Sequence, residues 1–303
     1  MIKIISKRLL SVLLTALFVV PAFAQITTSS LGGRIVDQAG EPIPGVAVVA
    51  THTPSGTTYG AVTNVDGRYT IQGMRTGGPY AVEISCLGYG PVRFTDVTLS
   101  LGELYSLNAY MKDDTELLQE VVVTATPTSK FASVEKTGAA TNISSNQIAS
   151  VPTVSRSLTD VAKLSPFGGN GMNFSGSSGR SANFTVDGAN VNNNFGLSTA
   201  LPGGGNPFSI DAIEEVQVVV SPYDVRQNNF IGGGMNAITK SGTNTLKGTA
   251  YIYHQDENLH GSRVDGVDLE RTAESETTYG FTLGGPIIKN KLFFFVNAEE
   301  TPS

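Results

Sequence analysis

Few side chains in this sequence could carry covalent or metal chemistry. The histidines are His52, His254 and His260, and the one cysteine is Cys86. No histidine stands in an H-E-x-x-H or H-x-x-E spacing, which would turn two ligands toward one metal. His52 reads as part of a strand-end loop, and His254 and His260 read as part of one polar surface loop. A single thiol cannot close an internal disulfide, so Cys86 is best read as a small apolar side chain. The chain has no G-x-S-x-G elbow, P-loop or dinucleotide fingerprint. Its glycine clusters near Gly168 and Gly232 lack the partner residues those motifs need, and read as packing glycines. These residues predict no enzyme, no metal site and no cofactor.

What the sequence does offer is backbone chemistry. Glu120-Val121-Val122-Val123-Thr124-Ala125 is β-branched and therefore favours the extended form. Such a stretch leaves donors and acceptors ready for strand addition to a partner. It reads either as an ordinary edge strand or as a segment offered to another protein. Asn170, Asn173, Asn192, Asn193 and Asn194 lie in glycine- and serine-rich stretches and could face a ligand, although Asn is also a default loop residue.

Composition narrows the class. The chain has 303 residues, 34 of them Gly, no Trp, 15% charged residues and a net charge of −6. Glycine supplies the positive φ that tight turns require, so many short strands are expected. The mild acidity and the lack of a basic tract give no reason to expect nucleic acid.

Residues 1–24 read as an export signal. Lys3, Lys7 and Arg8 form a basic start, an apolar run follows, and Ala22-Phe23-Ala24 supplies a small-x-small cleavage site before Gln25. The run is shorter than the ~20 residues a membrane helix needs. Beyond it the chain is expected to be either periplasmic or part of a β-barrel.

After a short linker at 25–32, residues 33–112 alternate in short runs at hairpin spacing. Asn64-Val65-Asp66-Gly67 carries a strong turn signal. The run from Gly33 through Met74, GRIVDQAGEPIPGVAVVATHTPSGTTYGAVTNVDGRYTIQGM, resembles the carboxypeptidase regulatory-like domain, a transthyretin-like β-sandwich. That resemblance implies a non-catalytic module.

A polar linker at 113–130 holds the β-branched stretch, and 131–246 follows as an α+β unit. Leu158, Val161, Ala162 and Leu164 fall at helical spacing. Phe184-Thr185-Val186-Asp187-Gly188 makes a strand and a turn, and the stretch from Ile210 to Lys240 joins IEEVQVVV to GGGMNAITK. This pattern is similar to the plug of TonB-dependent outer-membrane transporters, with Met235 and Ala237 where larger aliphatics are usual. In that family the stretch Glu120–Ala125 corresponds to the TonB box.

In residues 247–303, Tyr279, Phe281 and Leu283 alternate with Thr278, Gly280, Thr282 and Gly284. Aromatic outward and small or polar inward is the pattern of a lipid-facing barrel strand. The run GFTLGGPIIKNKLFFFVNAE resembles the early barrel of Oar-like transporters, which also carry the sandwich.

The overall expectation is a mainly β chain: a sandwich, a plug and the first strands of a barrel. A plugged barrel needs 22 strands, so the 57 residues after Leu246 are expected to belong to a fragment or a truncated product. The resemblance implies energised transport through TonB and its inner-membrane complex, with outer-membrane lipid and a surface lipoprotein as further partners and an unnamed ligand as cargo. The rival expectations are an adhesin that uses the sandwich as its working part, and a peptidase-associated module.

Overall fold

The computed structural model describes residues 26–113, 121–124, 138–150, 156–169, 171–192, 207–222, 224, 227–259, 261–268 and 275–302. Among these the chain is mainly β. The first unit is a sandwich. One sheet holds β1 (Ser29–Val36), β4 (Arg68–Met74), β7 (Leu104–Ser106) and β8 (Ala109–Tyr110). The other runs in the order β3 (Thr57–Val62), β2 (Ala47–His52), β5 (Gly77–Cys86), β6 (Tyr89–Leu99) and β9 (Val121–Thr124).

Alternation decides which face of each strand turns inward. Leu31, Ile35, Val48, Tyr69, Ile71, Tyr80, Val82, Ile84 and Val97 meet between the sheets, with Cys86 packed partly against them. Each large side chain buried this way contributes ~1.5–3 kcal/mol. The buried phenols find acceptors: Tyr69 Oη donates to the Leu107 carbonyl at 2.8 Å and Tyr80 Oη to the Arg75 carbonyl at 2.6 Å. The Asn64–Gly67 turn closes because Asn64 Oδ1 accepts the N–H groups of Asp66 and Arg68. Gly67 takes φ +68° there, and a Cβ would lie 2.4 Å from the Ile35 carbonyl oxygen.

Two details depart from the sequence reading. The expected linker at 25–32 is partly strand, because Ser29 already pairs with Met74 and Ser30 with Leu104. His52, expected in a strand-end loop, is instead the last residue of β2, and its side chain is buried.

The second unit is α+β. Its mixed sheet has the order β10 (Gly138–Ser144), β13 (Ile213–Pro222), β14 (Gly234–Thr239), β11 (Asn183–Val186) and β12 (Ala189–Asn190). Helices α1 (Ser145–Ser150) and α2 (Leu158–Ala162) accompany it, and the Ser157 side chain caps α2 by accepting from the Thr159 N–H. Leu158, Val161, Phe174, Phe184, Val216, Val218 and Met235 form the core. The Gly232–Gly234 run is a packing device, since a Cβ on Gly233 would sit 2.6 Å from Phe174 Cβ.

The last unit is an antiparallel sheet of β15 (Lys247–Asp256), β18 (Ser275–Ile288) and β19 (Leu292–Glu300). The connection between β15 and β18 carries a small hairpin of β16 (Arg263–Val264) and β17 (Val267–Asp268). His254 lies in β15 rather than in a loop, because the ladder continues to Asp256 opposite Ser275. His260 falls outside the described residues.

Candidate functional site

Register sorts the side chains of the barrel-type sheet. Ile252 pairs with Tyr279, Ala250 with Phe281 and Leu283 with Val296, so these share one face. Ile252, Tyr279, Phe281, Leu283 and Val296 are all exposed on it. The opposite face carries Thr249, Tyr251 and Tyr253 from β15, Gly280 and Thr282 from β18, and Asn297 and Glu299 from β19. Tyr251 lies over Gly280, where a Cβ would come within 2.2 Å of its ring.

The α+β unit meets this second face through one polar cluster. Arg156, just before the cap of α2, forms an ion pair with Asp211 and lies 3.7 Å from Glu299 Oε2. Its guanidinium stacks on Tyr253 at 3.7 Å and reaches Tyr251 at 5.1 Å from the ring centroids. Glu299 Oε2 accepts from Ser209 Oγ at 2.9 Å and from Tyr251 Oη at 2.7 Å. One cation thus ties an element of the sheet's companion unit to two strands of the barrel wall.

A second contact surface joins the sandwich to the α+β unit. β13 is buried on both faces: Val216 and Val218 enter the core, while Glu215, Gln217 and Val219 alternate with them. Glu215 and Gln217 face the fully buried Leu101 of the sandwich. The Leu101 N–H donates to Glu215 Oε1 at 3.0 Å, and Asn142 Nδ2 donates to the same oxygen at 2.8 Å. Gln217 Nε2 and Asn142 Nδ2 both donate to the Leu101 carbonyl, at 2.6 and 2.9 Å. Burial pushes the Glu215 carboxyl up to about 7; the two hydrogen bonds oppose this, and Glu103 and Glu214 add to it.

The sequence-derived site residues are distributed as follows. Val121, Val122, Val123 and Thr124 form β9, which runs parallel to β6 at the edge of the sandwich; Glu120 and Ala125 fall outside the described residues. Asn173 Oδ1 accepts the Gly179 N–H at 2.6 Å. Asn192 Oδ1 accepts the Phe184 N–H at 2.6 Å, and its Nδ2 donates to Asn183 at 2.9 Å. Both of these amides therefore hold loops together. Asn170, Asn193 and Asn194 lie outside the described residues.

Sequence reasoning passed over Arg156, Asp211 and Glu299. The signal was present as two tyrosines, Tyr251 and Tyr253, on one strand face with an arginine just before a helix cap.

Comparison with known proteins adds names to this arrangement. The carboxypeptidase regulatory-like domain family matches residues 30–112, and the outer membrane beta barrel domain family matches residues 238–303. The TonB-dependent transporter Oar of Myxococcus xanthus is 28% identical over 295 residues, covering 90% of this chain and 26% of that protein. The TonB-dependent receptor SusC of Bacteroides thetaiotaomicron is 33% identical over 117 residues, 38% of this chain and 10% of that protein. Among solved structures, the siderophore receptor PirA from Pseudomonas aeruginosa superimposes with TM-score 0.42 at 20% identity, covering 55% of this chain and 28% of that one.

The domains define an outer-membrane β-barrel class with a regulatory-like sandwich at its N-terminal side. Within that class the chain is similar to the TonB-dependent transporter Oar and the TonB-dependent receptor SusC. It spans about a quarter of the length of the first of these relatives and a tenth of the second.

Proposed function

We propose that the chain is the gating part of a receptor that moves a ligand across the outer membrane with energy drawn from TonB. In this reading the α+β unit is the plug, and Glu120–Ala125 is the segment TonB captures. The observation that carries it is the Arg156 cluster, which seats the α+β unit against the polar face of β15 and β19 while the opposite face stays apolar and exposed. A plug held inside a lipid-facing wall needs that arrangement.

The sandwich would lie on the periplasmic side. The Asn244 N–H donates to the sandwich carbonyl of Pro54 at 2.8 Å, and Asn244 also bonds Asn290 in the short β18–β19 turn. Short turns are the periplasmic ones in such barrels. Residues 1–24 would direct export, and the chain would act by binding and gating, without catalysis.

The test uses the complete gene in its own cells, grown on a panel of glycans, peptides and ferric chelates as limiting nutrients. Val122→Pro removes a backbone donor and fixes φ near −65°, whereas Val122→Thr keeps both donor and branched shape. Growth on the recognised nutrient is expected to fail with Pro and persist with Thr, at equal outer-membrane levels. Equal growth would refute the coupling role. Loss of only the Pro protein from the membrane would make the stretch structural.

A further inference from the structure

The coupling segment is already paired. Val121 lies opposite Val92, Val122 opposite Arg93, Val123 opposite Phe94 and Thr124 opposite Thr95, in parallel register. The acceptor edge is a slot of defined length. Pro91, which has no N–H, stands immediately before the paired stretch. Asp96 follows it with φ +61°, at a bulge within β6 where its ladder with β5 shifts register. On the other side of β6, Val92, Arg93 and Phe94 pair with β5, while Thr95 falls where that ladder shifts register. Val92 is buried and Phe94 half-buried against the sandwich core, so the slot is held rigid from behind.

The route of the chain favours filling it. The Gly90 N–H bonds the Lys112 carbonyl at 2.9 Å, and Tyr89 bridges Asp113. The polypeptide therefore leaves the sandwich beside the start of β6. It returns to the same edge after the seven residues 114–120, which reach at most ~25 Å. The step from Tyr89 to Val92 needs only ~10 Å. A tether this short gives the strand an effective concentration on the order of millimolar at its slot.

Building on the reading of 120–125 as the coupling segment, we infer that the β6 edge of the sandwich is a docking site for that strand. It competes with the periplasmic partner for the same backbone groups. The partner it fits is an extended, β-branched peptide of four residues, and the energising protein gains the segment only in the undocked fraction, which lowers its apparent affinity by that fraction. The docked strand also closes an otherwise bare sheet edge.

The test uses the whole chain in detergent micelles, with the purified periplasmic domain of TonB as probe and amide exchange at 121–124 as a second readout. Thr95→Pro weakens the slot at a position without a β5 partner. Lengthening 114–120 fourfold with Gly and Ser touches neither strand and lowers the local concentration ~8-fold. Both variants are expected to lose amide protection at 121–124 and to bind the TonB domain more tightly, by up to ~8-fold for the longer linker.

Unchanged affinity and protection in both would overturn the inference. Weaker binding would also overturn it, because the sandwich would then present the strand on the outer edge of β9 rather than withhold it. Should Thr95→Pro melt early, the linker variant alone decides. Val122→Pro separates the two ideas: if it binds the TonB domain as well as the parent does, the coupling reading itself fails, whatever exchange says of docking.

Discussion

Replacing Glu215 with Gln should tighten the seat of the sandwich on the α+β unit, and the gain should grow with pH. Glu215 is 6% exposed and gives Oε1 to the Leu101 N–H and the Asn142 amide. Burial raises its carboxyl from 4.5 to about 7. In the unfolded chain the proton leaves near 4.5, so between pH 4.5 and 7 the folded state binds more protons than the unfolded one. Stability therefore falls as pH rises through that window and levels off above it.

The displacement from 4.5 to about 7 corresponds to roughly 3 kcal/mol. Gln keeps the acceptor oxygen without the charge. It should match the parent at pH 5 and exceed it by up to ~3 kcal/mol at pH 8. Exchange protection of the Leu101 amide, corrected for intrinsic rate, reads this directly alongside the melting temperature. Equal protection of the parent at pH 5 and pH 8, or a variant weaker at both, would refute the reasoning.

Other outcomes follow from single sites. His52 is buried, bonds Ser55 Oγ at 2.6 Å, and is lowered by burial and by Arg75 to about 4. Below its unfolded value of 6.5 the unfolded chain takes up the proton first, so the sandwich should lose on the order of 2–3 kcal/mol between pH 7 and pH 4. Exchange in β2 would register that loss, opposite in sign to the trend at Leu101. Gly233→Ala should cost ~1–3 kcal/mol of α+β stability through the clash with Phe174, read by denaturant unfolding. Arg156→Lys keeps the charge but loses the planar stacking on Tyr253. It should lower the denaturant midpoint for release of the α+β unit from the barrel wall by the equivalent of ~1 kcal/mol, with no change in the sandwich.

Local signals carried much of the fold. Alternation marked the hairpins β2–β3 and β5–β6, whose partner strands lie a few residues apart. The Asn64–Gly67 turn instead carries the chain from β3 in one sheet to β4 in the other, without closing the hairpin its sequence suggests. The start of β1 was hidden, since Ser29-Ser30-Leu31-Gly32 has no alternation and its partners β4 and β7 are remote in sequence. The pattern of β13 reads as one apolar and one polar face. The distant Leu101 lies over that polar face and helps turn Glu215 and Gln217 into buried groups. The β-branched stretch at 121–124 was legible as an extended segment, yet its parallel neighbour on β6 was not. A parallel ladder between segments joined through a polar linker leaves no periodic trace.

β10 occupies the rim of the five-stranded sheet, with β13 as its one neighbour there. It is also the first described element downstream of β9, with 125–137 between them. Tension entering at β9 would pass along those 13 residues, at most ~45 Å when fully extended, before loading Gly138. The strand that takes the load first carries Asn142, which donates to both Glu215 and the Leu101 carbonyl. Stripping β10 from the rim would remove that amide and leave the Glu215 carboxylate with one donor fewer in a buried seam. On the proposed reading, a single pull at β9 would then open the α+β unit at its edge and loosen the sandwich's mooring in the same movement.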